Sequence, residues 1–323
     1  MKVVEMVKKA LLCCQRDSWE QGFAAQSLYE AGDTETFVML AFDAVARQHE
    51  DGRLGMTGDL SLITDPAANG EPVWRAFEHT NNEYYRNGAE KMLQYLMMYG
   101  RRTPDGVLFH SAESVYPGFS ADQFWVKTCY SLPPFLALMD EFTEATKQYG
   151  GYYNILCDDD TGLLYHSYDY KQGVRIKQKL WATGNGLAML GAARLMTEAI
   201  KKHESQVAND LQSAGIALLE AMLKFQHSDG RFHNILDNDQ TFLDGASAMM
   251  VAAFIYRGIY EGWLNEKYKK KADLIRETMT DYIDGDGFLH GVCGPSDFEK
   301  EGTSSVAQSA FIMMDAWAKK VVV

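Results

Sequence analysis

Two kinds of helical stretch alternate along the chain. In the first, apolar residues return at helical spacing with charges between them. Residues 205–226 carry Val207, Leu211, Leu218, Met222 and Phe225 in that register, which predicts a helix with one face in water. Residues 2–14, 36–49, 83–99, 136–149 and 266–282 follow the same pattern. In the second kind the sequence is apolar or small almost all round, as in Gly245, Ala246, Ala248, Met249, Met250, Val251, Ala252, Ala253 and Phe254, and such a helix has to be buried on every side. Residues 18–30, 70–79, 121–138, 180–196, 244–260 and 304–317 belong to this inner class.

A Gly-centred turn recurs with the same rhythm: Asp51-Gly52-Arg53-Leu54, Asp105-Gly106-Val107-Leu108, Thr161-Gly162-Leu163-Leu164, Asp229-Gly230-Arg231-Phe232 and Asp286-Gly287-Phe288-Leu289. The interval is 54 residues from Gly52 to Gly106, then 56 to Gly162, 68 to Gly230 and 57 to Gly287. A period that long with helices on either side predicts an array of helical hairpins. Six outer and six inner helices close most simply into an all-α (α/α)6 toroid with the five turns on one rim. The repeat spans nearly the whole chain without a linker-like break, so residues 1–323 read as one domain.

The inner stretches open on an aromatic beside polar groups: Trp19 with Asp17 and Glu20, Trp74 after Glu71, Trp125 after Asp122 and Gln123, Trp181 before Asn185, and Phe242 after Asp239. Equivalent positions in a ring of repeats share one rim, so these residues are expected to converge on one mouth. Aromatic plates interleaved with carboxylates and amides match the apolar faces and hydroxyl edges of a sugar. Tryptophans at helix starts also fill gaps between hairpins, and Asp17 and Glu20 also suit a helix cap.

Charge narrows the partners. The formal net charge of −13 argues against nucleic acid or an anionic membrane, both of which want a basic face, and leaves a small carbohydrate as the expected substrate. The five cysteines (Cys13, Cys14, Cys129, Cys157, Cys293) show no CxxC pair, so neither a zinc site nor a disulfide framework is indicated. Reduced thiols, an apolar stretch of only Ala10 to Cys14 near the start and no spanning segment predict a cytoplasmic protein.

Several motifs together resemble the unsaturated glycuronyl and rhamnogalacturonyl hydrolases, glycoside hydrolase families 88 and 105. They are Asp65-Pro-Ala-Ala-Asn69-Gly70; Arg102-Thr103-Pro-Asp105-Gly106 with His110; Asp122-Gln123-Phe124-Trp125-Val126-Lys127 leading to Pro133-Pro134-Phe135-Leu136; Thr161-Gly162-Leu163-Leu164-Tyr165-His166; Trp181-Ala182-Thr183-Gly184-Asn185-Gly186-Leu187; and Cys293-Gly294-Pro295 through Ala307-Gln308. The resemblance implies the (α/α)6 fold, no metal or organic cofactor, and hydration of a vinyl ether by a carboxyl group that protonates the double bond and activates water. It also exposes three departures. Lys127 stands where the family has its catalytic Asp, and Thr183 and Leu187 stand where it has an Arg for the uronate carboxylate and a stacking Trp. The expected catalytic set is therefore Asp65, Asp122 and Lys127, and the expected substrate-binding set is Trp19, Trp125, His166, Trp181 and Asn185. Two alternatives stay open: a sugar-binding pseudoenzyme, and a sugar epimerase using His110 and His166 if both face the centre. Gly184 and Gly186 around Asn185 suggest a backbone lying close to a ligand.

Overall fold

The structure is a computed structural model that describes residues 2–57, 61–295 and 298–321. Its helices are α1 (Lys2–Cys14), α2 (Ser18–Glu30), α3 (Thr34–Ala46), α4 (Gly70–Thr80), α5 (Glu83–Met98), α6 (Thr128–Ser131), α7 (Pro133–Leu138), α8 (Phe142–Leu156), α9 (Ala182–Lys201), α10 (Ser205–Leu223), α11 (Gly245–Tyr260), α12 (Lys269–Asp281) and α13 (Ser305–Val321). Going round the barrel, α2, α4, the α6–α7 pair, α9, α11 and α13 pack side by side, and α13 returns to α2 to close the inner ring. The outer helices α3, α5, α8, α10 and α12 lie against inner partners, and α1 packs on α13, so the first and last helices complete the sixth hairpin. This is the (α/α)6 toroid that the alternation of helix types predicts. Helices α9 and α11 are buried along nearly their whole length, mostly through Ala, Gly, Leu and Met, whereas α12 buries only Ala272, Ile275 and Met279.

Each Gly-centred turn follows the end of an outer helix and precedes an inner one, which puts all five at the same end of the barrel. They also couple neighbouring hairpins. Gly52 has φ +103° and a Cβ there would lie 2.4 Å from the Lys91 carbonyl oxygen on α5, while Gly287, at φ +91°, meets the Met6 carbonyl oxygen on α1 at the same distance. Only glycine permits both the backbone angle and that approach.

The expected inner helix over 121–138 is not continuous. Gln123–Trp125 form strand β1, which pairs antiparallel with β2 (Ser167–Asp169), and β2 pairs with β3 (Val174–Lys177). Helix then resumes as α6 and restarts at Pro133, whose ring suits a first helical position and cannot extend a preceding helix. The outer helix expected at 136–149 begins instead at Phe142, because the chain turns through a left-handed Asp140 at φ +67°. Further short hairpins, β4 (Phe232–His233) with β5 (Leu243–Asp244) and β6 (Val292–Gly294) with β7 (Lys300–Gly302), lead into α11 and α13. Among the described residues no helix is long and apolar enough to cross a membrane.

Candidate active site

The start of the inner ring encloses a cavity of about 270 Å³ bordered by Trp19, Asp65, Trp125, Lys127, His166 and Trp181, with Asp17, Tyr116, Lys177 and Phe298 at its margin. Its floor is set by a hydroxyl network. Thr64 Oγ1 lies 2.9 Å from Thr128 Oγ1 and 2.7 Å from His110 Nδ1, all buried. These contacts fasten the 3-10 turn Asp65–Asn69 to the start of α6, and so bring the next residue on one side, Asp65, to the preceding residue on the other, Lys127. Lys127 Nζ donates to Asp65 Oδ2 at 2.6 Å and lies 4.7 Å from the centroid of the Trp19 ring. The carboxylate side chain is 1% exposed and the lysine side chain 18%. A buried carboxylate with an ammonium this close is held in its charged form.

The aromatic walls are pinned by their own polar edges. Trp125 Nε1 donates to Gln123 Oε1 at 2.9 Å, and Trp181 Nε1 to Asn234 Oδ1 at 3.2 Å. Between them, His166 stacks on Trp181 with centroids 4.5 Å apart and meets Trp125 edge-on at 5.2 Å. Burial, reinforced by Lys177, Lys127 and Lys179, pushes the His166 imidazole well below its usual pKa, so the ring is neutral at pH 7. Beside them, on the strand that pairs with Ser167, Lys177 Nζ lies 5.2 Å from the Tyr116 ring centroid.

Not every expected residue reaches this cavity. Asp122 lies outside its lining, paired with the Arg101 guanidinium, because it sits at the edge of the three-stranded sheet rather than on an inner helix. Asn185 is fully buried and spends its amide on backbone: Oδ1 accepts from the Leu164 N–H at 2.8 Å, and Nδ2 donates to the carbonyls of Leu164 and Trp181 at 3.0 and 2.9 Å. It fixes the His166-bearing turn to α9. Its flanking glycines admit protein rather than ligand, since a Cβ at Gly184 would lie 2.4 Å from Val126 and one at Gly186 2.9 Å from Met250. His110 is buried behind the cavity lining, its Nε2 3.8 Å from Asp65 Oδ1, so among the described residues His166 borders the cavity without it. Trp74 packs on Phe77 and does not border the cavity. Thr183 and Leu187 are buried as well, with Thr183 Oγ1 donating to Asp244 Oδ2 at 2.8 Å.

Asp17 borders the cavity, while Glu20 turns inward as a cap, its carboxylate accepting from the N–H groups of Arg16 and Asp17 at 2.8 and 3.2 Å. Lys177, Tyr116 and Phe298 come from strand and loop segments whose placement depends on long-range pairing. Residues 296 and 297 of the C-terminal motif lie outside the described residues.

The family model of Glycosyl Hydrolase Family 88 matches residues 5–318. The chain belongs to this family. It is 26% identical over 274 residues, 80% of this chain and 76% of the other, to the unsaturated rhamnogalacturonyl hydrolase YesR of Bacillus subtilis (strain 168). A solved structure of a possible member of the GH105 family from Salmonella enterica superposes with a TM-score of 0.84 at 17% identity, covering 100% of this chain and 94% of that one. A family 105 glycoside hydrolase from C. acetobutylicum ATCC 824 gives a TM-score of 0.79 at 19% identity, covering 99% of both chains. The family 88/105 fold and a glycoside hydrolase function follow for this chain, and with them a carbohydrate substrate.

Proposed function

We propose that this family 88 glycoside hydrolase acts on a small acidic carbohydrate held among Trp19, Trp125 and Trp181, with Asp65 and Lys127 together as its acid–base pair. The observation that carries this is the 2.6 Å Lys127–Asp65 hydrogen bond on the floor of an aromatic cavity. Asp65, ionised beside the ammonium, takes a proton from the attacking water. Lys127 gives a proton to the departing oxygen, and the hydrogen bond between the two returns the proton from Asp65 to Lys127. The cations of Lys127 and Lys177 favour a sugar carboxylate, and the indoles favour the apolar faces of its ring.

Unsaturated uronides, among them the unsaturated rhamnogalacturonyl compounds that YesR's name gives it, are expected to react slowly here. Their hydration needs a proton delivered to carbon, and on reference values a lysine ammonium is a weaker acid than a carboxyl group by about six pKa units. Chromatography of acidic disaccharides, saturated and unsaturated, incubated with wild type and Asp65→Asn tests the proposal. Removing a positioned acid–base group lowers turnover by about 10²- to 10⁴-fold. An Asp65→Asn protein as active as wild type would overturn the assignment.

A further inference from the structure

Behind the cavity lining, Lys177 is paired with a carboxylate of the protein's own. Glu299 Oε1 lies 3.3 Å from Lys177 Nζ and 2.8 Å from Lys179 Nζ. Lys177 is the buried member of this trio, with 8% of its side chain exposed against 39% for Glu299 and 36% for Lys179. Its ammonium also faces two walls of the cavity, at 5.2 Å from the Tyr116 centroid and 6.0 Å from that of Trp125.

The preceding residue ties this carboxylate to the cavity. The Phe298 ring borders the cavity and lies 5.9 Å from the ring centroids of both Trp19 and Trp181. Its backbone is left-handed at φ +60°, a region that a bulky side chain occupies only at a cost. The Phe298 carbonyl accepts from Asn234 Nδ2 at 3.0 Å, and Asn234 also holds the Trp181 indole. A strained, aromatic-anchored backbone thus presents Glu299 to the one buried cation on this wall.

We propose that Glu299 is a resident stand-in for the carboxylate of the sugar, which an acidic substrate displaces from Lys177. This rests on the cavity being a site for an acidic carbohydrate. Lys179, more exposed and closer to Glu299, keeps the displaced side chain paired, and of these two ion pairs the exchange gives up the longer. A neutral sugar has no group to replace Glu299 and leaves the Lys177–Glu299 pair in place. The trio therefore selects for charge: acidic ligands gain a buried ammonium, and neutral ones do not. Glu299 is a specificity-determining residue, and it sets the affinity for acidic ligands below what Lys177 alone would give.

Isothermal titration of the intact protein with D-galacturonate as acidic probe and D-galactose as neutral probe tests this. Glu299→Gln keeps the shape and half-exposed position of the side chain while removing the competing charge. It is expected to bind galacturonate about two- to fivefold more tightly than wild type, the range of a partly exposed ion pair, with galactose affinity unchanged. Lys177→Met is expected to remove the gain that Glu299→Gln brings, so that galacturonate binds alike with Glu299 or Gln at position 299 once Lys177 is gone. Equal galacturonate affinity in wild type and Glu299→Gln, or a parallel loss for both sugars, would overturn the proposal and leave Glu299 a scaffold for the Phe298 turn. If galacturonate binds neither protein while both melt cooperatively, the acidic-sugar reading of the cavity fails first.

Discussion

Cutting the Lys127–Asp65 pair from its two ends has unequal consequences. Lys127→Met leaves the Asp65 carboxylate, 1% exposed, without its ammonium. Stranding one partner of a fully buried pair costs about 3–5 kcal/mol, and the partial exposure of Lys127 lowers that to about 2–4 kcal/mol. Asp65→Asn leaves an ammonium that already touches solvent and keeps the face of Trp19, a contact of about 0.5–1 kcal/mol, so its loss is about 1 kcal/mol. The double variant removes both charges and falls well short of the sum of the two single losses. Urea unfolding of all four proteins at pH 8 gives these numbers directly. Repeating the series at pH 5 adds a sign test. In Lys127→Met the Asp65 carboxylate, left with the His110 ring at 3.8 Å but without an ammonium, takes up a proton more readily in the folded than in the unfolded state, so the deficit shrinks as pH falls. Equal losses for the two single variants, or a deficit indifferent to pH, would refute the picture of a buried carboxylate held charged by Lys127.

Three further outcomes follow from the same geometry. His166 is neutral in the folded protein because burial lowers its pKa well below the usual value. The unfolded chain therefore binds a proton below about pH 6.5 that the folded one does not, and stability falls with pH there by up to about 1.4 kcal/mol per unit; His166→Asn should flatten the wild-type slope between pH 5 and 6.5 in parallel urea titrations. Asn185→Ala takes the side-chain partner from the buried Leu164 N–H and carbonyl, while the Trp181 carbonyl keeps the residue-185 N–H, and should cost about 1–3 kcal/mol, measured by the same unfolding curves. Gly287→Ala forces a Cβ against the Met6 carbonyl at a positive φ and should lower stability by more than about 1 kcal/mol, with α1 exchanging amide hydrogens faster.

The ring was legible because its signals are periodic. Helix type, Gly spacing and the aromatic at each inner start all repeat, and a repeat fixes which residues share a rim. Trp19, Trp125 and Trp181 meet for that reason, whereas Asp65 and Lys127 were singled out by the family resemblance and are brought together by the Thr64–Thr128–His110 contacts. Residues 121–127 misled because Asp122 and Trp125 keep the spacing of a helix start, while the strand they form depends on Ser167–Asp169, more than forty positions away. Asn185 looked like a ligand contact because glycines flank it; those glycines instead make room for Val126 and Met250. Lys177, Phe298 and Glu299 carry no periodic signal, and only strand pairing and the last hairpin bring them to the cavity.

The most direct test of Lys127 as the residue that changed this site's chemistry is to follow the ultraviolet absorbance of the conjugated double bond in unsaturated uronyl disaccharides. Wild type and Lys127→Asp are compared on the same substrates. Replacing the ammonium with a second carboxyl beside Asp65 makes the two share a proton, which keeps a carboxylic acid, stronger than any ammonium, protonated for the hydration step. Wild type is expected near background and Lys127→Asp above it by about ten- to a hundredfold, part of what a positioned acid contributes. Wild-type turnover at ordinary enzyme rates, with Lys127→Asp slower, would contradict the account.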